Sequence, residues 1–318
     1  MSQAQGPRIG IIGTGAIGGF YGVMLARAGF DVHFLLRSEY DAVVRDGLQV
    51  NSAVHGPLKL QPVQAYRDVA RMPACDWLLV GAKTTSNADL APLIAQAAAP
   101  GAKVLLMQNG LGVEDALRPL LPDTLHLLGG LCFICVHRQA PGVVEHEAQG
   151  AVNVAYHSGP ANDVAASKAV VEEGVGLFRA AGIGSTAMDN LDQARWQKLV
   201  WNMPYNGLSV LLNSGTKGLM ADAGSRALIE AMMNEVVEGA AACGHALPEG
   251  LAGKMLVATQ HMQDYLPSMY HDYREQRPME LHAIYAEPLA AALANGKDLP
   301  RLRMLHQALA FLDARNAG

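Results

Sequence analysis

Five polar residues in a mostly apolar stretch could do chemistry. They lie between Trp196 and Asn213 and are Lys198, Asn202, Asn206, Ser209 and Asn213. At about 100° per residue on a helix they fall within about 80° of one another, which makes a narrow polar stripe. Asparagine is a poor helix former, and an ordinary solvated face would carry Glu, Lys or Arg instead. One cation among neutral amides suits a cleft that binds a small, oxygen-rich ligand.

A plainer interpretation of the stripe stays open. A partly exposed helix kinked at Pro204, which lacks a backbone donor, would show a similar pattern. In both cases the residues on the other faces are expected to be mostly buried. They are Leu199, Val200, Trp201, Met203, Leu208, Val210, Leu211 and Leu212.

The composition favours a small partner. The chain has 318 residues, enough for two domains, and 50% of them are hydrophobic. A formal net charge of -5 without any basic run argues against nucleic acid or a membrane surface as partner. Neither a signal-peptide pattern nor an apolar run of about 20 residues is visible, so we expect a cytoplasmic protein.

Four cysteines are too few and too scattered for a disulfide framework. Cys132 and Cys135 form a C-x-x-C, but they lie in the strand-like run LCFICV and no second pair is near. We expect a buried, reduced pair rather than a metal or redox site. No metal is predicted.

A glycine-rich turn near the start of the chain predicts dinucleotide binding. A short apolar run, Arg8 to Ile12, is followed by GTGAIGG and then by a helix-like segment ending near Gly29. The strand–turn–helix context makes G-x-G-x-x-G meaningful, because the glycines permit a tight turn, approach of a pyrophosphate and close packing. The candidate cofactor-binding residues are Gly13, Thr14, Gly15, Ala16, Ile17 and Gly18.

Arg37 indicates which dinucleotide is bound. It follows the second predicted strand, Asp31 to Leu36, 19 residues after Gly18. An acidic residue there usually binds the ribose 2′-hydroxyl of NAD, whereas an arginine accommodates the 2′-phosphate of NADP. Arg37, with Ser38 beside it, therefore favours NADP; the alternative is a surface arginine at the start of a loop.

Two further candidates follow later strands. Lys83 lies beyond the strand Trp77 to Gly81, and Asn109 lies beyond Val104 to Met107. Ligands of open parallel sheets bind outside the carboxyl ends of the strands, which favours a functional role for both residues. Both could also be turn formers, since Asn-Gly is a common turn pair.

The remaining pattern predicts two domains. Strand signals continue through 125–136, 142–146, 151–156 and 183–188, and a helix is predicted over 163–181. The pattern in 47–65 predicts a hairpin or an irregular crossover. Beyond residue 189 only helices are predicted, over 189–213, 226–243 and 248–265 and from Pro278 and Pro300. The expected fold is α/β, with an N-terminal Rossmann-type dinucleotide-binding domain (1–189), an all-helical C-terminal domain (190–318) and the site in the cleft between them.

Over nearly its whole length the sequence resembles the ketopantoate reductase (2-dehydropantoate 2-reductase) family. GTGAIGG is shared by many dinucleotide enzymes, but the helical and downstream motifs are far more specific. The resemblance rests on GTGAIGG, GAKTTSN around Lys83, QNGLG around Asn109, WQKLVWNMPYNGL around Lys198, PSMYHD around Ser268 and MELHAIYAEPL around Glu280.

The resemblance implies NADPH as cofactor and reduction of 2-dehydropantoate to (R)-pantoate, a step toward pantothenate. It implies Lys198 as the catalytic acid, with Glu280 near it and near the cofactor ribose. It also implies that Asn202, Asn206 and Ser268 bind the 2-oxo acid and that Asn109 lies at the nicotinamide and the substrate. A lysine with the ordinary pKa of about 10.4 can stabilise the alkoxide formed by hydride transfer and then donate its proton.

Each role has a structural alternative. Glu280 could be a favourable carboxylate in the first turn of a helix that begins at Pro278. Ser268 could be an N-cap or turn hydroxyl, and Lys198 could be a surface lysine.

A homodimer is also compatible with the sequence.

The chain departs from the family pattern at Met279, where threonine is usual, and at Ala286, where glycine is usual. His271 and His282 have no role in that pattern. These changes leave open a reductase of another branched 2-oxo acid. A non-catalytic NADP-binding sensor is a further alternative, although it would have no need of Lys198, Asn202, Asn206 and Glu280.

Overall fold

The computed structural model describes residues 6–317 of the chain. The chain forms two compact units. The first contains Val113–Leu191 and the chain that precedes Asn109, and the second contains Asn109–Gly112 and the chain from Asp192 onward. Residues 109–112 belong to the second unit although they lie far from the expected boundary near residue 189. Nothing in the hydrophobic pattern of the sequence indicates this assignment.

In the part of the chain that the structure describes, the first unit is built on a sheet of ten strands. The strands are β1 (Arg8–Ile12), β2 (Asp31–Leu35), β3 (Leu48–Ser52), β4 (Gly56–Leu60), β5 (Ala65–Tyr66), β6 (Cys75–Val80), β7 (Ala98–Leu106), β8 (His126–Ala140), β9 (Val143–Ser158) and β10 (Ser185–Met188). Its helices are α1 (Ala16–Arg27), α2 (Tyr40–Asp46), α3 (Asn87–Ala97), α4 (Val113–Leu117) and α5 (Val164–Ala180).

The sheet is mainly parallel and has the order β4-β3-β9-β8-β7-β6-β1-β2-β5, with β10 beside β9. β1 pairs with β2 and β6 in parallel, and Ile11 lies opposite both Phe34 and Leu79. Among the described strands, only β3–β4 and β8–β9 are antiparallel pairs. This confirms the predicted α/β class, because parallel strands need helical crossovers and are buried on both faces.

One strand prediction was wrong. The segments 142–146 and 151–156 belong to a single long strand, β9, which is antiparallel to β8. Gln149 (φ 66°) and Gly150 (φ 129°) form an irregularity within it, and the pairing register shifts there. The sequence suggested a break because a bulge and a short loop both use glycine.

A hydrophobic core lies against the sheet of the first unit. Ile11, Phe34 and Leu79 from the strands pack with Phe20 and Tyr21 of α1 and with residues of α5. The predicted C-x-x-C lies on β8, where Cys132 and Cys135 are both buried thiols. Burial raises the pKa of Cys135 to about 12, so its reactive thiolate form is suppressed.

The second unit is helical, and no described residue beyond Met188 lies in a strand. Its helices are α6 (Leu191–Leu211), α7 (Thr216–Ala221), α8 (Ala223–Ala242), α9 (Leu251–Gln260), α10 (Ser268–Arg274), α11 (Glu287–Ala294) and α12 (Pro300–Ala317). A π-helical turn, His282–Ala286, precedes α11. Within residues 6–317, no helix combines the length and the apolarity that crossing a membrane requires.

Two helix predictions needed correction. The helix expected to continue to Tyr265 ends at Gln260, because the backbone of Tyr265 pairs with Thr216 instead. The Thr216 N–H donates to the Tyr265 carbonyl at 3.0 Å, and the Thr216 hydroxyl accepts from the Tyr265 N–H at 3.0 Å. The helix expected to begin at Pro278 begins only after Glu280.

Candidate active site

The glycine turn between β1 and α1 has the geometry of a phosphate-binding loop. Gly13 has φ +87°, and a Cβ there would lie 2.4 Å from the Ala82 nitrogen. A Cβ on Gly18 would lie 2.3 Å from the Gly13 carbonyl oxygen. By contrast, a Cβ on Gly15 would meet nothing within 4 Å. The first and third glycines therefore allow close packing, and the middle one faces open space where a pyrophosphate fits.

The N-terminus of α1 can bind an anion. Its N-cap is Gly15, which has no side chain to satisfy the first backbone N–H groups. Ala16 begins the helix and Ile17 packs against the core. Thr14 is buried, and its hydroxyl lies 3.5 Å from the Leu35 carbonyl, so its contribution to a phosphate would come from the backbone.

Arg37 follows β2 and is exposed, as is Ser38. The preceding residue is held in place, because the Leu36 N–H donates to the Tyr66 carbonyl at 2.8 Å. Within the described part of the chain, the Arg37 guanidinium has no hydrogen bond or ion pair. Its five donors are therefore available to a phosphate.

Lys83 follows the end of β6 and is half-buried, directly after Ala82, on which the glycine turn packs. A hydrogen-bond network that we did not predict lies beside it. The buried Gln108 amide donates to the Ala82 carbonyl at 2.9 Å and to the Asn87 side-chain oxygen at 2.6 Å. Both amides lie in the GAKTTSN and QNGLG motifs, and they attach the end of β7 to the turn that carries Lys83.

In the helical unit, the loop at 109–112 is attached to two elements. The buried Arg195 of α6 donates from Nη1 to the Gly110 carbonyl at 3.1 Å, and the Leu111 N–H donates to the Ala283 carbonyl at 2.9 Å. Gly110 has φ +109°, and a Cβ there would lie 2.5 Å from Ala283. Asn109 is thereby held to the helix turn that precedes Lys198.

Arg195 was missed by sequence reasoning. It lies three residues before Lys198, hence on nearly the same helix face, and it is only 2% exposed. A buried arginine is rare unless it is paired, and this one binds the backbone of the 109–112 loop. The sequence feature that could have indicated Arg195 is its spacing of three residues from Lys198.

The polar stripe on α6 is only partly available to a ligand. Lys198 is half-buried, whereas Asn202, Asn206 and Ser209 are buried. The Ser209 hydroxyl donates to the Asn206 carbonyl at 2.9 Å within the helix. Asn213 lies beyond the helix end with φ 49°, and it accepts a hydrogen bond from the Tyr270 hydroxyl at 2.8 Å. The stripe therefore ends before Asn213.

The apolar faces of α6 also differ from expectation at one end. Leu199, Val200, Met203, Leu208 and Val210 are buried as predicted. Leu211 and Leu212 are 37% and 50% exposed, because the helix ends at Leu211 and leaves the core there.

Asn206 has a structural partner of its own. Its side-chain oxygen accepts from the Met269 N–H at 3.2 Å, in the first turn of α10, and its amide donates to the Asn202 carbonyl at 3.0 Å. Asn206 thus caps the helix that begins with Ser268, which Pro267 itself cannot do. The N-cap position belongs to Pro267, so Ser268 is not the N-cap.

Three predicted substrate-binding side chains have no such partner. Within the described chain, the side chains of Asn109, Asn202 and Ser268 make no hydrogen bond to protein groups. Asn202 is 7% exposed, and a buried amide without a protein partner is costly unless a ligand or water binds it.

Glu280 is buried at the start of the π-helical turn, not within a helix begun at Pro278. Its carbonyl accepts from the Ile284 N–H at 3.2 Å, and the Met279 N–H before it donates to Asp313 Oδ1 at 3.0 Å. π-Helical turns are rare and are frequent at functional sites.

Tyr285 links the π-helical turn to α6. Its hydroxyl donates to the Met203 carbonyl at 2.6 Å, and complete burial raises the pKa of this phenol, so it stays a donor. A Cβ on Gly207 would lie 2.5 Å from the same hydroxyl. Gly207 in the middle of α6 therefore has a packing reason.

The residues that depart from the family pattern occupy different environments. Met279 is buried in the core of the helical unit, and Ala286, which ends the π-helical turn, is half-buried. His271 is half-buried in α10, whereas His282 is exposed.

These two units define a class of protein: an oxidoreductase with a Rossmann-type nucleotide-binding sheet and a separate helical unit that carries a lysine, a glutamate and unpaired amides. Comparison of the sequence with known families narrows the class. The profile of "Ketopantoate reductase PanE/ApbA" matches residues 9–159, and that of "Ketopantoate reductase PanE/ApbA C terminal" matches residues 190–313. The chain belongs to the ketopantoate reductase family.

Individual relatives agree. A 2-dehydropantoate 2-reductase of Nostoc sp. is 43% identical over 96% of this chain and 95% of its own. The crystal structure of 2-dehydropantoate 2-reductase from Geobacter metallireducens is 38% identical, with a TM-score of 0.87 over 97% of this chain and 99% of that one. The enzyme of Methylococcus capsulatus is 32% identical, with a TM-score of 0.85 over 98% of both chains.

Proposed function

We propose that this protein reduces 2-dehydropantoate to (R)-pantoate with NADPH, a step toward pantothenate. The Nostoc and Geobacter relatives carry the name of this activity. The observation that carries the proposal is the helical unit's polar cluster, in which Lys198 shares α6 with an unpaired buried amide, Asn202.

Lys198 is the general acid. Reduction of a ketone places negative charge on its oxygen, and an ammonium at that oxygen stabilises the charge and then donates the proton. Glu280 is the carboxylate that acts with Lys198, and it also contacts the cofactor ribose.

Asn202 and Ser268 bind the oxygens of the substrate. Their free donors can bind a carboxylate without adding a second cation that would compete with Lys198. Asn206 contributes mainly by fixing the start of α10, since its side-chain oxygen is already bonded to Met269. Asn109, held by its loop to Arg195 and Ala283, orients the nicotinamide and the substrate.

The sheet unit, residues 1–189 in the proposed division, binds NADPH, which supplies the hydride. The turn from Gly13 to Gly18 holds the pyrophosphate, Arg37 holds the 2′-phosphate and Lys83 contacts the cofactor. The open space at Gly15 and the unpaired guanidinium of Arg37 support this assignment.

A substrate panel tests the reaction. NADPH oxidation is measured with 2-dehydropantoate and with bulkier and smaller branched 2-oxo acids, and kcat/KM is compared. We expect 2-dehydropantoate to give the highest value. Turnover only with other 2-oxo acids would replace the substrate, and NADPH binding without any turnover would indicate a sensor.

A cytoplasmic location and a homodimeric state complete the proposal. Cell fractionation checks the first. Light scattering coupled to size-exclusion chromatography checks the second, because a monomer mass of 33.7 kDa would contradict it.

A further inference from the structure

A second charged residue lies in the segment that selects the dinucleotide. An acidic side chain about 20 residues after the last glycine usually binds the ribose 2′-hydroxyl of NAD. Both Arg37 and Glu39 fall in this window after Gly18. The two residues favour opposite cofactors, so the environment of each must decide between them.

The side chains of Arg37 and Glu39 lie in different environments. Arg37 is exposed, whereas the Glu39 side chain is only 9% exposed and points into the protein. Glu39 Oε1 forms an ion pair with Arg138 of β8, and Glu39 Oε2 accepts the backbone N–H of Gly142 at 3.0 Å. The carboxylate is therefore bound to the β8–β9 turn.

The same contacts fix the loop that carries Arg37. Glu39 is the N-cap residue of α2, and its carbonyl accepts from the Val43 N–H at 2.9 Å. Gly142 has φ +75°, and a Cβ there would lie 3.1 Å from the Gly47 carbonyl oxygen, beyond the end of α2. The β8–β9 turn thus contacts both ends of α2.

We propose that Arg138 is a specificity-determining residue for the cofactor, because it neutralises Glu39 and keeps this carboxylate away from the 2′-position of the ribose. This inference rests on the proposed NADPH dependence. Arg138 is a positioning residue that acts through Glu39, and Arg37 makes the direct contact. The carboxylate of an unpaired Glu39 would repel the 2′-phosphate of NADPH. It could also accept a hydrogen bond from the ribose 2′-hydroxyl of NADH.

The test is direct binding of NADPH and of NADH by isothermal titration calorimetry. For Arg138→Met we expect the ratio of the NADH Kd to the NADPH Kd to fall at least about threefold. For Glu39→Gln we expect that ratio to rise, because Arg138 is left as an added cation. The double variant should return toward the wild-type ratio, since neither charge remains.

The control is Arg45→Met, which removes the same charge at the other end of α2, where Arg45 pairs with Asp46. A merely structural role would weaken both cofactors in parallel and in both single variants. Unchanged ratios in the single variants, or changes in the same direction, would overturn the inference. A wild-type protein without preference for NADPH would instead overturn the proposed cofactor, so the two failures are distinguishable.

Discussion

At the scale of single residues, the proposed chemistry depends on one ammonium, that of Lys198. We expect Lys198→Ala to lower kcat at least about a hundredfold, because a general acid typically contributes that much. The control is Lys217→Ala, an exposed lysine of the same unit. Both variants are compared by steady-state NADPH oxidation and by melting temperature, and an unchanged kcat in Lys198→Ala would remove this residue from the mechanism.

The two asparagines of α6 should respond differently to truncation. Within the described chain the side chain of Asn202 makes no hydrogen bond to protein groups, so Asn202→Ala is expected to raise KM about tenfold or more, with little change in melting temperature. The measurement is KM for the 2-oxo acid beside a thermal melt.

Asn206→Ala should instead destabilise the fold by about 1–3 kcal/mol, because it leaves the buried Met269 N–H without an acceptor. Chemical denaturation measures this loss. Asn234→Ala, at an exposed position of α8, is the control and should be near neutral. Equal stability of the Asn206 and Asn234 variants would contradict the capping role.

The sequence predicted which helix face these residues share better than it predicted their hydrogen-bond partners. Helical spacing placed Lys198, Asn202 and Asn206 on one face, which the structure has. Spacing could not show that Asn206 binds the backbone of α10, since that contact joins residues 63 positions apart. For the same reason, the pairing of Glu39 with Arg138, 99 positions away, was not predictable.

At the scale of elements, the loop after β7 depends on Gly110. Gly110→Ala would need φ +109° and would bring its Cβ within 2.5 Å of Ala283, so we expect a marked loss of both stability and kcat. Gly244→Ala, with φ +84° and nothing within 4 Å, measures the cost of the backbone conformation alone. Thermal melts and kcat of both variants check this, and similar losses in the two would count against the packing argument.

The prediction of helices and strands succeeded where the hydrophobic periodicity agreed with the positions of the turn-forming glycines. β1 and α1 lie where the alternation and the glycines indicated, and of the two alternatives for 47–65 the structure has the hairpin. It failed where tertiary contacts override local signals. Pro278 indicates a helix start, but the Asp313 carboxylate holds the next residue outside the helix, and a π-helical turn follows.

At the scale of the whole molecule, buried and half-buried histidines make stability depend on pH. Burial lowers the pKa of His33, His126 and His146 in the sheet unit and of His306 in the helical unit, where His282 adds to the effect. In the unfolded chain these imidazoles bind protons near pH 6.5. The unfolded state therefore takes up more protons as the pH falls, and this part of the folding free energy is present above about pH 6.5 and lost below it.

His146 shows why the neutral form is required. Its Nδ1 lies 2.8 Å from the Ser52 hydroxyl, which already accepts two backbone N–H groups, from Val54 and from His55. The hydroxyl must donate its proton to Nδ1, so a protonated imidazole has no acceptor there. We expect the melting temperature, measured by calorimetry, to fall from pH 8 to pH 5, and to fall less steeply in His146→Gln. His261→Gln, at an exposed position, is the control and should keep the wild-type slope, whereas a flat or rising wild-type profile would show that the sign is wrong.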